Sequence, residues 1–360
     1  MRQAGLVISE ARYKVARAPL VAPFRIATGQ HDELENVFLV VELEGGVKGF
    51  GEAAVATHIT GETVAQTVSN LGAAAAVLPG CDISDPFALC RALQPQFQGN
   101  HAGLAALEMA VLDAFTRAFR LPLWALFGDR PAPLCTDITV VIGSREEAEG
   151  LAQDFYGRGF RTFKIKVGGN LDLDLQRVLA VARRAPRSGL ILDANQSFTA
   201  ETMLKFLKTL RAKGVTPALL EQPVPKADLE GLRKLTRVSG VRVCADESAG
   251  SLKDVTRLLQ DKLVGAVNVK LMKSGILEGA EIARVARAHG AQLMIGGMME
   301  SALAVTAAAH LAAGIGGFDF VDLDTTFFIK GPLSRSPYLD ARGRFDLSQA
   351  KAGIGVTVKI

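Results

Sequence analysis

Ionisable residues recur along this chain at nearly one interval. Lys166, Asp193, Glu221, Asp246 and Lys270 are followed by the Gly296-Gly297 pair and Asp322, at steps of 24 to 28 residues. Each of the five charged positions closes an apolar run, as in RTFKIK, LILD, PALLE, VRVCAD and GAVNVK. One strand plus one helix takes up about that length, and a parallel barrel of eight such units gathers its chemistry where the strands end. The spacing therefore predicts amines and carboxylates collected at one mouth of a barrel.

Asp193, Glu221 and Asp246 end three consecutive predicted strands and should converge. Three uncompensated carboxylates repel one another. A divalent cation relieves that repulsion, and an all-oxygen set with room for water and substrate favours Mg²⁺ over zinc. The plainer alternative is that each acid caps the helix that follows it. In Phe163-Lys164-Ile165-Lys166-Val167 the side chains alternate, so both lysines point inward. Two ammonium groups on one face repel, which predicts a lowered pKa for at least one and a base near neutral pH. A solvated strand end is the competing reading. Lys270 lies four strand places after Lys166 and so across the barrel from it. Two amines on opposite faces of a metal-bound carboxylate can take a proton from one side of an α-carbon and return one to the other. The metal would stabilise the enediolate between those steps. Inversion at the α-carbon is the expected outcome. Lys273 reads as a surface or helix-start charge. Asp322 and Asp324 stand two apart and face one way, which suits a substrate ammonium group better than a second metal. A solvated acidic turn is the alternative.

These residues need elements to position them. From about Asp137 the pattern is strand, loop, helix, repeated, with eight strands (ITVVIG, FKIKVG, LILDAN, ALLEQP, VRVCADE, AVNVKLM, AQLMIGG and FDFVDLD) and seven helices between them. Such alternation at short loops implies parallel strands. Residues 1–130 do not follow the rhythm. LVISEARYKV and NVFLVVELEGGVKGFGEA alternate like antiparallel strands, and three helical patterns follow, the last ended by Leu121-Pro122. This is an α+β first domain. Residues 131–330 would form the barrel, and 331–360 look like turns and strands returning to the first domain.

The chain has 360 residues, 49% hydrophobic and 22% charged, enough for a large core. Its net charge of +4 is small and no basic patch is interleaved with aromatic residues, which argues against nucleic acid as a partner. Cys81, Cys90, Cys135 and Cys244 form neither a CxxC pair nor a disulfide framework, so a reducing compartment and a cytoplasmic location are expected. The opening MRQAGLVISEARY lacks the pattern of an export signal. The Ala-rich stretch from Ser301 to Gly317 is too short and polar for a membrane span and reads as a buried helix. A homo-oligomer is compatible with the sequence.

The KxK, DAN, EQP, ADES and NVKLMKSG segments resemble the enolase superfamily, muconate-lactonizing subgroup, over nearly the whole chain. The resemblance implies an α/β fold, a modified TIM barrel of (β/α)₇β form under an α+β capping domain that the C-terminal segment completes. It implies Asp193, Glu221 and Asp246 as Mg²⁺ ligands, Lys166 and Lys270 as the acid/base pair, and Lys164 as a support for Lys166 and the substrate carboxylate. Within the subgroup the Asp322-Leu323-Asp324 motif is similar to that of dipeptide epimerases, whose two aspartates hold the substrate's free α-ammonium. Thr139, Gly297 and Met298 fall where similar enzymes line the dipeptide site. The Ala-Glu epimerases carry an arginine in the capping loop after a Pro-Phe pair. Here Pro23-Phe24-Arg25-Ile26-Ala27-Thr28-Gly29 has its basic residue earlier, so Arg25 is a candidate substrate contact or a domain-interface residue. Ile26, Ile59 and Met298 would otherwise make an apolar pocket for a neutral or hydrophobic second residue. A cycloisomerase, N-acylamino acid racemase or o-succinylbenzoate synthase is the rival reading, and a non-catalytic binding barrel the rival of another class.

Overall fold

The computed structural model describes residues 5–27, 29–331 and 333–359. Thr28 of the capping loop and the first four residues of the opening stretch lie outside the described residues. Strands β1 (Ile8–Ile26) and β2 (Gly29–Leu43) form a long antiparallel hairpin, and β3 (Lys48–Ala54) pairs with β2. The register of β1 slips between Pro19 and Phe24, where prolines cannot donate to a ladder. Helices α1 (Thr57–Thr60), α2 (Val64–Val77), α3 (Pro86–Leu93) and α4 (His101–Ala118) follow. Helix α4 is buried on almost every side and lies against β3. That approach depends on glycine, because a Cβ on Gly51 would stand 1.9 Å from the Ala106 carbonyl oxygen.

After a short β4 (Leu134–Cys135) comes the barrel. Its strands are β5 (Ile138–Val140), β6 (Thr162–Lys166), β7 (Gly189–Asp193), β8 (Leu219–Glu221), β9 (Arg242–Ala245), β10 (Ala266–Lys270), β11 (Gln292–Gly296) and β12 (Phe320–Asp322). They hydrogen-bond in sequence order, all parallel. The seven intervening helices are α5 (Arg145–Arg158), α6 (Leu171–Arg184), α7 (Ala200–Ala212), α8 (Leu229–Val238), α9 (Leu252–Gln260), α10 (Leu271–Ala288) and α11 (Ala302–Ile315). The fold expected from the rhythm is thus the fold observed. The sheet's two edges meet through isolated bonds, Asp137 N–H to Val321 O at 2.8 Å and Leu323 N–H to the Thr136 hydroxyl at 2.8 Å.

Local chemistry starts the helices. Ser144 and Glu147 make a capping box for α5, and Asn170, Thr199, Asp228, Ser251 and Ser301 cap α6, α7, α8, α9 and α11. The caps after β7, β8 and β9 are therefore Thr199, Asp228 and Ser251. Asp193, Glu221 and Asp246 cap nothing, and the plainer explanation for them falls.

Two helix starts are completed from the other domain. Gly275 interrupts α10 with φ 75° and ψ −177°, so its regular part begins at Ile276. There the Ile276 and Leu277 amides donate to Glu108 of α4 at 2.5 and 3.1 Å. Glu52 of β3 accepts from Ser301 N, Ser301 Oγ and Ala304 N at 2.7, 2.6 and 3.1 Å, and from Asn36 Nδ2 at 2.7 Å. Two buried carboxylates of the first domain thus satisfy the orphan amides of consecutive barrel helices.

Helix α11 is almost wholly buried, as its Ala-rich sequence implied. Among the described residues no helix is long and apolar enough to cross a membrane. The last strand, β13 (Arg344–Phe345), pairs with β4, and Gly353 then bonds Leu121 and Leu123 beyond the end of α4.

Candidate active site

The candidate side chains stand where the register puts them. Lys166, Asp193 and Glu221 are direct partners across β6, β7 and β8. Lys270, Gly296 and Asp322 are partners across β10, β11 and β12. Asp246 follows the end of β9 directly. Strands β6 and β10 are four places apart in a ring of eight, so the Lys166 and Lys270 amines reach the same cavity from opposing walls.

Lysines and carboxylates share that space closely. Lys164 Nζ is 2.6 Å from Asp322 Oδ2 and 2.9 Å from both Asp193 Oδ2 and Glu221 Oε2. Lys166 Nζ donates to Asp193 Oδ2 at 2.6 Å and to Asn195 Oδ1 at 3.2 Å. Lys270 Nζ lies 2.8 Å from Asp246 Oδ2. All of these side chains are buried. Burial pulls the Lys164 amine down, but Asp193, Asp322 and Glu221 outweigh it and hold the pKa well above the usual value. The lowering that two repelling ammonium groups predict for at least one of the pair does not occur at Lys164, because that argument counted the neighbouring amine and not the three acids. Lys270 is raised too, burial again being overcome, here by Asp246. Burial and the Asp193 charge push Glu221 up to about 7. For Asp193 and Asp246 the desolvation cost is overcome by lysines, and both lie below the usual carboxylate range.

Lys273 is a second correction. It is buried, and its amine donates to Asp246 O, Asp246 Oδ1 and Asn268 O at 2.6, 2.7 and 3.0 Å. It lies in the short helical turn between β10 and the break at Gly275, next to the strand ends.

The three acids read as metal ligands are hard oxygen donors on adjacent strands. Glu221 Oε2 and Asp246 Oδ2 are buried without a hydrogen bond of good geometry. That donor set fits a hard divalent cation. The three are nevertheless not drawn into one tight cluster: Lys164 stands between Asp193 and Glu221, while Lys270 and Lys273 hold Asp246. Among the described residues, the acids that each bring one carboxylate oxygen within 4.8 Å of the others' are Asp137, Asp322 and Asp324.

Asp322 and Asp324 both face the cavity, although β12 ends at Asp322 and Asp324 already begins a turn. Asp324 Oδ2 accepts from Thr139 N–H at 2.5 Å, and burial with the Asp322 charge raises its pKa to about 7. Thr139 and Met298 line the cavity, and so do Ile26 and Ile59, with Phe24 and Met299 beside them. Arg25 does not. It is exposed, its guanidinium bonds Gln30 at 3.0 Å, and its carbonyl accepts from Ile142 N–H at 3.0 Å. The alternation of β1 sends Ile26 inward and Arg25 outward.

Sequence reasoning passed over His31, His58 and Asn195, which also line the cavity. Asn195 carried a signal, since it stands two residues after Asp193. The two histidine rings are 4.8 Å apart, and burial lowers the pKa of each.

Comparison with known proteins agrees with this architecture. Residues 147–359 match the family described as enolase C-terminal domain-like, and residues 10–128 match the mandelate racemase / muconate lactonizing enzyme N-terminal domain. A hydrophobic dipeptide epimerase of Citrifermentans bemidjiense is 58% identical, over 97% of this chain and 97% of that protein. An aromatic dipeptide epimerase of Herpetosiphon aurantiacus is 38% identical, over 94% of this chain and 96% of the other. The crystal structure of a dipeptide epimerase from Enterococcus faecalis, complexed with Mg and L-Leu-L-Tyr, superposes with a TM-score of 0.91 at 31% identity, covering 98% of this chain and 99% of that one. With both domains matched and the barrel carrying its charged strand ends, the chain belongs to the mandelate racemase and muconate lactonizing enzyme family of the enolase superfamily.

Proposed function

We propose that the protein is a Mg²⁺-dependent dipeptide epimerase that inverts the α-carbon of the second residue by two-base 1,1-proton transfer, with a neutral or hydrophobic second residue preferred. The observation that carries this reading is the opposition of Lys166 and Lys270 across one cavity that also holds Asp322 and Asp324. The amines serve as acid and base on opposite faces of the α-carbon, one removing the proton and the other supplying its replacement. Lys164 keeps its positive charge against the carboxylates and steadies the substrate carboxylate beside Lys166. Asp322 and Asp324 attract the free α-ammonium, which fixes which end of the dipeptide enters and leaves the second α-carbon between the amines. Thr139 orients Asp324 through its amide. Asp193, Glu221 and Asp246 would hold Mg²⁺, which supplies positive charge against the second negative charge that the carboxylate gathers as the α-proton leaves.

Ile26, Ile59 and Met298 offer the second residue an apolar wall, and among the described residues no arginine faces it from the hairpin, which supports a hydrophobic over an acidic side chain. The names of the relatives, hydrophobic and aromatic dipeptide epimerases, support the same choice. We take residues 1–130 as the capping domain, 131–330 as the catalytic barrel and 331–360 as the segment that returns to the cap. A cytoplasmic setting suits a chain of free cysteines.

Incubation with an L,L-dipeptide library in D₂O, followed by mass spectrometry and chiral separation, tests the reading. Solvent deuterium at the second α-carbon with inversion is expected for hydrophobic dipeptides, and its loss on chelation should be reversed by Mg²⁺. A protein that leaves every dipeptide unlabelled while isomerising a lactone or an N-acylamino acid would be one of the rival enzymes.

A further inference from the structure

Asp137 is the least explained charged side chain near the cavity. It stands just before β5, 1% exposed, and neither of its carboxylate oxygens has a hydrogen-bond partner. It shares a face with Thr139 two residues on, one layer deeper in the barrel than the cavity that Thr139 lines. One of its oxygens lies within 4.8 Å of oxygens from both Asp322 and Asp324. Its neighbours on that seam are already engaged: Asp322 Oδ2 takes the Lys164 amine and Asp324 Oδ2 takes the Thr139 amide. The charged groups that face Asp137 are Asp322 and Asp324 at the end of β12, Lys164 of β6 and Glu221 of β8. Only one of these is a cation, and it is shared with Asp193 and Glu221.

A third ionised carboxylate here would be buried, unbonded and repelled by two others, a combination that proteins avoid by protonation. Burial and the Asp322 and Asp324 charges both favour the neutral form of Asp137. We propose that Asp137 is a positioning residue for the ammonium subsite: it is held as a neutral carboxylic acid and shares its proton with the Asp322 and Asp324 carboxylates. The pair then keeps two negative charges, which Lys164 and a substrate ammonium balance, and its orientation is fixed from beneath. The ammonium part of this rests on the dipeptide reading above, and the proton does not.

The test has a spectroscopic and a kinetic arm, both on the Mg²⁺-loaded enzyme. Infrared difference spectra of wild type against Asp137→Asn should show one protonated-carboxyl C=O stretch lost in the variant. For a dipeptide that the wild type epimerises, Asp137→Ala should raise KM roughly tenfold with kcat moved less, the loss expected for one hydrogen bond in a buried network. Asp137→Asn restores a donor and should recover most of that loss. Absence of the infrared band overturns the proposal, as does Asp137→Asn being as impaired as Asp137→Ala, since the charge would then be what matters. Equilibrium dialysis showing a second bound Mg²⁺ in wild type that Asp137→Asn loses would make the cluster a metal site and overturn it as well. Should no dipeptide be turned over, the dipeptide reading fails while the infrared result still decides the protonation of Asp137.

Discussion

In the proposed reaction each of the two opposed amines has a separable task. Replacing either Lys166 or Lys270 by Ala should slow epimerisation by ~10²–10⁴-fold, the usual contribution of one positioned acid or base. The surviving amine still faces one side of the α-carbon. Each variant should therefore exchange the α-proton of one diastereomer in D₂O without inverting it, and the two variants should choose opposite diastereomers. Proton NMR of L,L and L,D dipeptides reads both effects, and full inversion by either variant would remove the two-amine chemistry. These lysines were legible because each closes an apolar run at the barrel interval. Lys273 was not, since it sits in the short turn between β10 and the break at Gly275, and no local pattern marks that turn as buried. Asp137 was hidden for a similar reason: it precedes its strand instead of ending it, and its proximity to Asp322 and Asp324 exists only once the first and last barrel strands meet.

At the scale of elements, the eight strands and seven helices followed from periodicity, and the helix starts from their Ser, Thr, Asn and Asp caps. What periodicity could not convey is which groups cap the helices from outside. Glu52 sits in β3, some 250 residues before the helix it serves, and no local pattern joins the two. Its carboxylate accepts four hydrogen bonds at the start of α11 and from Asn36. Substituting Ala removes the acceptor of all four, with Asn36 keeping another bond, to Met299 O, and Glu52→Ala should lose about 3 kcal/mol of stability in urea unfolding. A loss under about 0.5 kcal/mol would mean that water or a neighbour replaces the cap. The cavity wall shows the same division of legibility. Ile26 and Ile59 were readable as apolar candidates, whereas the outward turn of Arg25 depends on the phase of β1.

For the whole molecule, His310 ties three parts together. Its Nδ1 accepts from the Trp124 amide at 3.2 Å, so Nε2 carries the hydrogen and donates to Ile354 O at 3.1 Å. Burial lowers its pKa from 6.5 to about 3. A histidine held neutral in this way contributes stability that is complete above pH 6.5 and falls as pH drops from there toward 3. Glu108 works in the other direction, because burial raises it from 4.5 to about 7 and its contribution grows as pH falls through that window. Comparing wild type with His310→Gln isolates the first effect. The wild type's stability relative to the variant should shrink by about 2 kcal/mol between pH 7 and pH 5, measured by denaturant unfolding at each pH. A difference independent of pH would mean that the ring is already charged in the folded state. The carboxylates of Glu52 and Glu108 have a last implication, for autonomy. A truncated chain that began at the barrel would lose the carboxylates that the amides opening α10 and α11 now bond, and would bare the barrel face that packs on them. The barrel is accordingly no free-standing module to be transplanted, and the two halves must mature as a single cooperative unit.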